Sequence, residues 1–91
     1  MDKAIFEKRL REQGYQTVVE RDMAANTVNE THAHDFDAQL LFLDGEMTII
    51  RSGVAHTFRA GDTCEVTAGT PHEERVGAQG VRYIAGRREP A

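Results

Sequence analysis

From Gly45 onward a glycine or proline recurs about every eight residues, and that punctuation limits what the chain can become. Short β-rich segments alternate with turn residues at a spacing of roughly eight residues, the spacing of an all-β sandwich or barrel. Gln16–Glu20 is rich in β-formers. Leu40–Leu43 is a continuous apolar run before Asp44-Gly45. Met47–Ile50 precedes Ser52-Gly53, and Val54–Phe58 precedes Ala60-Gly61-Asp62. Cys64–Val66, the turn Ala68-Gly69-Thr70-Pro71 and Val81–Ile84 complete the series. The space after residue 14 accommodates around eight strands of ordinary length.

The first residues read differently. Ile5, Phe6 and Leu10 form an apolar stripe flanked by Lys8, Arg9, Arg11 and Glu12, which predicts a helix over residues 2–13. Asp2 is the expected N-cap and Gly14 the expected stop. The helix should lie as an amphipathic lid on a barrel over residues 15–87, with residues 1–91 forming a single domain. The tail Arg87–Ala91 is expected to fray.

Composition removes several function classes. Fifteen acids against eleven bases give a net charge of −4, unlike the basic face of a nucleic-acid binder. The lone Cys64 allows neither an internal disulfide nor a CxxC site; its surroundings predict a small core residue. The longest wholly apolar run is four residues, far short of the roughly 20 that span a membrane, and the charged N-terminus has no signal-peptide core. The expectation is a cytoplasmic protein with no nucleic-acid or membrane partner. Phosphate-binding glycine loops and a serine-hydrolase elbow are both missing, and the only serine is Ser52.

Histidine carries the chemical information. His32 and His34 form an H-x-H pair after the extended segment Thr27–Thr31. On a strand such residues share a face and two imidazoles converge, whereas a helix would splay them by about 200°. His72 follows Gly69-Thr70-Pro71, a turn stiff enough to aim a side chain, and a third imidazole from a distant strand would complete a facial metal-ligand set. Glu74 lies two residues beyond His72 and shares its face if the strand is unbroken, as a ligand, a base or a partner to a ligand histidine. Glu73 and Arg75 alternate outward as a surface pair. Phe36 is expected at the pocket mouth, His56 belongs to no ligand pattern, and Tyr83 is either pocket or core.

These residues resemble the cupin superfamily. Its first motif, G-x5-H-x-H-x3,4-E-x6-G, is matched by His32, His34 and the closing glycine turn at Asp44-Gly45. Its second, G-x5-P-x-G-x2-H-x3-N, is matched by Gly61, Gly69 and His72, while Thr67 and Val76 replace the proline and asparagine. The match covers residues 32–76. The motif glutamate is missing: counting from His34 reaches Gln39, counting back from Gly45 reaches Ala38. The apolar run that follows cannot fix the register, and Gln39 is the expected fourth ligand because a three-histidine site favours one.

The resemblance implies a small double-stranded β-helix, a jelly-roll barrel, with the helix outside. It implies a mononuclear divalent metal (Zn, Ni, Fe or Mn) held by His32, His34, His72 and Gln39, with Glu74 as a catalytic candidate. A small polar or anionic metabolite is the expected ligand, and a homodimer the expected assembly. The reaction classes that fit are those of metal-dependent dioxygenases and isomerases. The alternatives are a non-catalytic ligand binder or sensor and a metal-free scaffold.

Overall fold

The computed structural model describes residues 1–90; the last residue of the expected tail, Ala91, lies outside them. One helix, α1 (Lys3–Glu12), precedes six strands: β1 (Thr17–Met23), β2 (Val28–His32), β3 (Asp37–Arg51), β4 (Val54–Arg59), β5 (Thr63–Val66) and β6 (His72–Arg88). All pairings are antiparallel. Among the described residues no helix is long and apolar enough to cross a membrane.

The expected turn at Asp44-Gly45 is not a break: β3 runs through it, and β6 likewise runs through Gly77 and Gly80. The register between them shifts at Phe42/Asp44 and again at Gly45/Met47, so the glycines make bulges where a closing turn was expected. A bulge bends a strand without ending it. Each long strand therefore serves twice. The first half of β3 pairs with β5 and the second half of β6; its second half pairs with β4 and the first half of β6. β1 and β2 take the other edges of β6. Six strands thus supply the eight segments that the spacing allows.

Gly45 is required at the crossing. Its φ is +72°, and a Cβ there would stand 2.0 Å from the Gly80 carbonyl oxygen. Asp44 stabilises the bulge by accepting the Gly45 N–H at 2.9 Å.

The apolar run of β3 is buried on both faces. Ala38, Leu40 and Phe42 face the barrel interior with Met47, Ile49, Val76 and Val81. Leu41 faces outward and meets Phe6, Leu10, Tyr15 and Ile84 under the helix. Asp2 caps α1, its carboxylate accepting the Ala4 and Ile5 N–H groups. Phe6 and Leu10, one turn apart, form the buried face; Ile5, expected with them, is exposed. Leu10 presses so closely on Gly86 that a Cβ there would lie 2.6 Å from a leucine methyl.

The chain's end is held as well. Arg87 and Arg88 belong to β6, which corrects the expectation of a frayed end at these positions. The Arg88 guanidinium donates to Asp37 at 3.0 Å and to the Gln13 carbonyl at 2.8 Å, and lies 4.4 Å above the Tyr15 ring. These bonds tie the start of β3, the end of β6 and the helix exit together.

Two outcomes follow from this packing. Gly45→Ala should destabilise the fold by roughly 3 kcal/mol, read from denaturant unfolding, because strain and a backbone clash coincide. The N–H of Ala68 and then Arg88 hold the Asp37 carboxyl below its ordinary value of 3.8. A lowered folded value adds stability above the unfolded value, lost as pH falls through the folded one. Asp37→Asn should therefore flatten the acid limb of a stability–pH curve while leaving its neutral shape intact.

Candidate metal centre

The three histidines arrive from two segments that the backbone ties together. His32 ends β2 and His72 begins β6, and the two are register partners. His34 lies just past β2, in the connection to β3 rather than on a strand as the H-x-H reading supposed. That connection is anchored to the turn before His72: the Gly69 N–H donates to the His34 carbonyl at 2.8 Å, and the Ala68 N–H to the Asp37 carboxylate at 2.9 Å. Asn26, six residues before His32, adopts φ +62° where the motif has its first glycine. Asparagine tolerates that left-handed conformation.

One ring nitrogen from each of His32, His34 and His72 lies within 4.8 Å of the others. The orientation of two rings is fixed by backbone carbonyls. His32 Nδ1 bonds to the Glu30 carbonyl at 2.7 Å, and His72 Nδ1 to the Thr70 carbonyl at 2.9 Å. A carbonyl only accepts, so Nδ1 carries the proton, and in the neutral ring Nε2 keeps its lone pair. This is the arrangement by which a protein sets a metal-ligating imidazole. His34 stacks on Phe36 at 4.7 Å. Burial, then the neighbouring His32 and His72, hold its pKa below the usual histidine value, with Glu74 opposing and Arg87 adding to the fall. In their neutral form the three imidazoles offer a lone-pair-bearing set. Metal–nitrogen bonds of about 2.1 Å place adjacent ligand nitrogens roughly 3.0–3.4 Å apart, so the rings would draw together by up to about 1.5 Å to hold an ion.

Glu74 joins this cluster, as the strand parity implied. Its carboxylate oxygens lie 3.9 Å from His32 Nε2 and 3.7 Å from His72 Nε2. The Asn29 amide holds one of them at 2.9 Å. His72 is buried, and the Glu74 side chain is 15% exposed. Glu73 and Arg75 pair with each other on the surface.

Gln39 does not join it. Its amide donates to Gln13 at 2.6 Å and to Glu65 at 3.3 Å, on the helix side of β3. Ala38 lines the cavity instead. The expectation of Gln39 as fourth ligand is thereby corrected: the count back from Gly45 gives the register, and the residue in it is a methyl group.

The cavity around the histidines has a volume of about 390 Å3. Phe36 and Tyr83 line it, and burial followed by Glu74 raises the Tyr83 pKa, keeping the phenol protonated. Arg21 and Arg87 also line it. Arg87 lies 4.7 Å above the Phe36 ring, and neither arginine makes an ion pair among the described residues. Sequence reading missed both. The signal was available for Arg87, which shares parity with Tyr83 and Ala85 once β6 is continued to Arg88. Arg21 is the cross-strand partner of Tyr83. His56 is exposed on β4, apart from the site. Cys64 packs against the core and burial pushes its thiol up to about 12, consistent with an inert residue.

No protein-family model matches the sequence, and no curated protein matches it. Solved structures do. A protein of unknown function from Rhizobium leguminosarum bv. viciae 3841 superposes with a TM-score of 0.77 at 16% identity, over 81% of this chain and 70% of that one. An RmlC-like cupin from Shewanella frigidimarina NCIMB 400 gives 0.71 at 20% identity, over 81% and 66%. The polyketide cyclase RemF from Streptomyces resistomycificus gives 0.68 at 19% identity, over 78% and 53%. The chain spans only about half the length of RemF and about two thirds of the other two. Convergent histidines at the mouth of an antiparallel barrel and these superpositions agree: the chain has the RmlC-like cupin fold, a small double-stranded β-helix.

Proposed function

We propose that this protein is a mononuclear metal cupin that binds or transforms a small anionic metabolite. The observation that carries the reading is the pinning of His32 and His72 through Nδ1, which leaves two Nε2 lone pairs converging with His34 where no protein donor meets them. His32, His34 and His72 hold the ion. The imidazole set suits Zn, Ni, Fe or Mn. When bound, the ion supplies Lewis acidity, lowering the pKa of coordinated water and polarising an oxygen ligand.

The chain's own residues select the charge of the ligand. Arg21 and Arg87 bring two guanidinium groups to the cavity, and Arg87 is braced over Phe36 beside the ligand His34. A carboxylate or enolate fits such a rim, since guanidinium pairs bidentately with planar anions. Phe36 and the protonated Tyr83 close the apolar side. Dioxygenase- and isomerase-type chemistry both suit this donor set, with Glu74 placed to hold or take up a proton beside the ligands. A second reading, a non-catalytic metabolite binder, is favoured by the short connections between strands, which add little wall to the pocket.

The proposal extends to a cytoplasmic two-fold dimer. β4 pairs only with β3, its first four residues are exposed, and Val54 is 55% exposed. A second copy covering this edge would remove unpaired strand groups from water.

Elemental analysis of untagged protein tests the centre. Near one equivalent of a single transition metal is expected, falling below a tenth in His72→Ala. No uptake after incubation with Zn, Ni, Fe and Mn would sink the reading. Ligand charge is tested by thermal shift of the metal-loaded protein with small carboxylates and their neutral esters. Carboxylates should stabilise it, and Arg87→Ala should weaken that binding at least tenfold, about 1.4 kcal/mol. Preference for the esters would refute the anionic ligand.

A further inference from the structure

The cavity has lost a carboxylate at one position and carries one at another. Ala38 stands on β3 where the motif spacing places glutamate, and its methyl group faces the histidines. Across the cavity, Glu74 on β6 directs both oxygens at histidine nitrogens, 3.9 Å from His32 Nε2 and 3.7 Å from His72 Nε2. It stands on the His32–His72 side of the three-nitrogen set.

These contacts set acceptors against acceptors. Both Nδ1 atoms already donate to carbonyls, so in the neutral rings both Nε2 atoms carry lone pairs. A carboxylate also only accepts. Four acceptor atoms (two nitrogens and two oxygens) crowded into a part-buried space repel one another unless a proton or a metal ion lies among them. The Asn29 amide satisfies one lone-pair direction of Glu74 and fixes its orientation. The remaining directions point to the histidines. Charge gives the same answer. A divalent ion on three neutral imidazoles keeps its full charge, in a cavity that also holds Arg21 and Arg87 without ion-pair partners among the described residues. One adjacent carboxylate lowers that charge by one.

We propose that Glu74 supplies from β6 the carboxylate that Ala38 lacks on β3, completing a three-histidine, one-carboxylate metal centre whose acidic ligand has changed strands. This rests on the metal reading above. The relocation leaves the Ala38 side of the cavity open to a bound metabolite, and Asn29 becomes a positioning residue for the fourth ligand.

Metal affinity tests the exchange without reference to any reaction. Zn2+ and Ni2+ dissociation constants are measured by competition with a chromophoric chelator for the wild type, Glu74→Ala, Glu74→Gln and Asn29→Ala, with the unfolding temperature in chelator as a control for folding. Glu74→Ala should bind at least tenfold more weakly, Glu74→Gln should fall between it and the wild type, and Asn29→Ala should lose a few-fold. Ala38→Glu added to Glu74→Ala should recover most of the affinity, since it returns a carboxylate to the other wall. A Glu74→Ala variant that folds and binds within twofold of the wild type overturns the proposal and leaves Glu74 a proton partner, with the three-histidine centre intact. A wild type that binds neither ion removes the centre and the proposal together.

Discussion

The antiparallel pairing of β3 with β6 is the interaction on which everything else depends. Each strand is long enough to belong to both halves of the barrel, and every other strand pairs with one of them. The two can change direction together because Gly45 lets the β3 backbone pass the Gly80 carbonyl where a Cβ cannot fit. Without that crossing the second half of β3 would not reach the first half of β6. The start of β6, where His72 and Glu74 lie, would then have no wall to stand against.

The histidine cluster is a consequence of how β6 begins. His72 is its first residue, held by the Thr70 carbonyl of the preceding turn, and the same turn is bonded to the chain around His34 and Asp37. The opposite end of β6 returns past the cavity and adds Tyr83 and Arg87. One strand thus contributes an imidazole, a carboxylate, a phenol and a guanidinium, all of one parity in each half. That economy lets a chain of 91 residues form a lined cavity with few loops.

Much of this was legible in the residue order. The helix with its Asp2 cap, the strand-rich remainder, the three histidines and the side of Glu74 all follow from local periodicity and turn chemistry. What failed did so for physical reasons. Asp44-Gly45 has the composition of a turn, and composition alone does not separate a turn from a bulge. The assignment of Gln39 failed because β3 is buried on both faces, so Leu40–Leu43 shows no alternation. Only α1, lying over Leu41, reveals which parity faces outward. Arg21 and Arg87 were missed because their roles depend on strand lengths that tertiary pairing sets.

By itself the sequence determined an all-β barrel with a helical lid and three histidines able to meet, since alternation, glycine spacing and an H-x-H pair are local constraints. Tertiary structure alone decided that β3 and β6 run unbroken through their glycines. It decided that Ala38 rather than Gln39 faces the histidines, and that two arginines join them. Those outcomes are fixed by which strands pair and which face the helix covers, and such contacts join residues far apart in the chain.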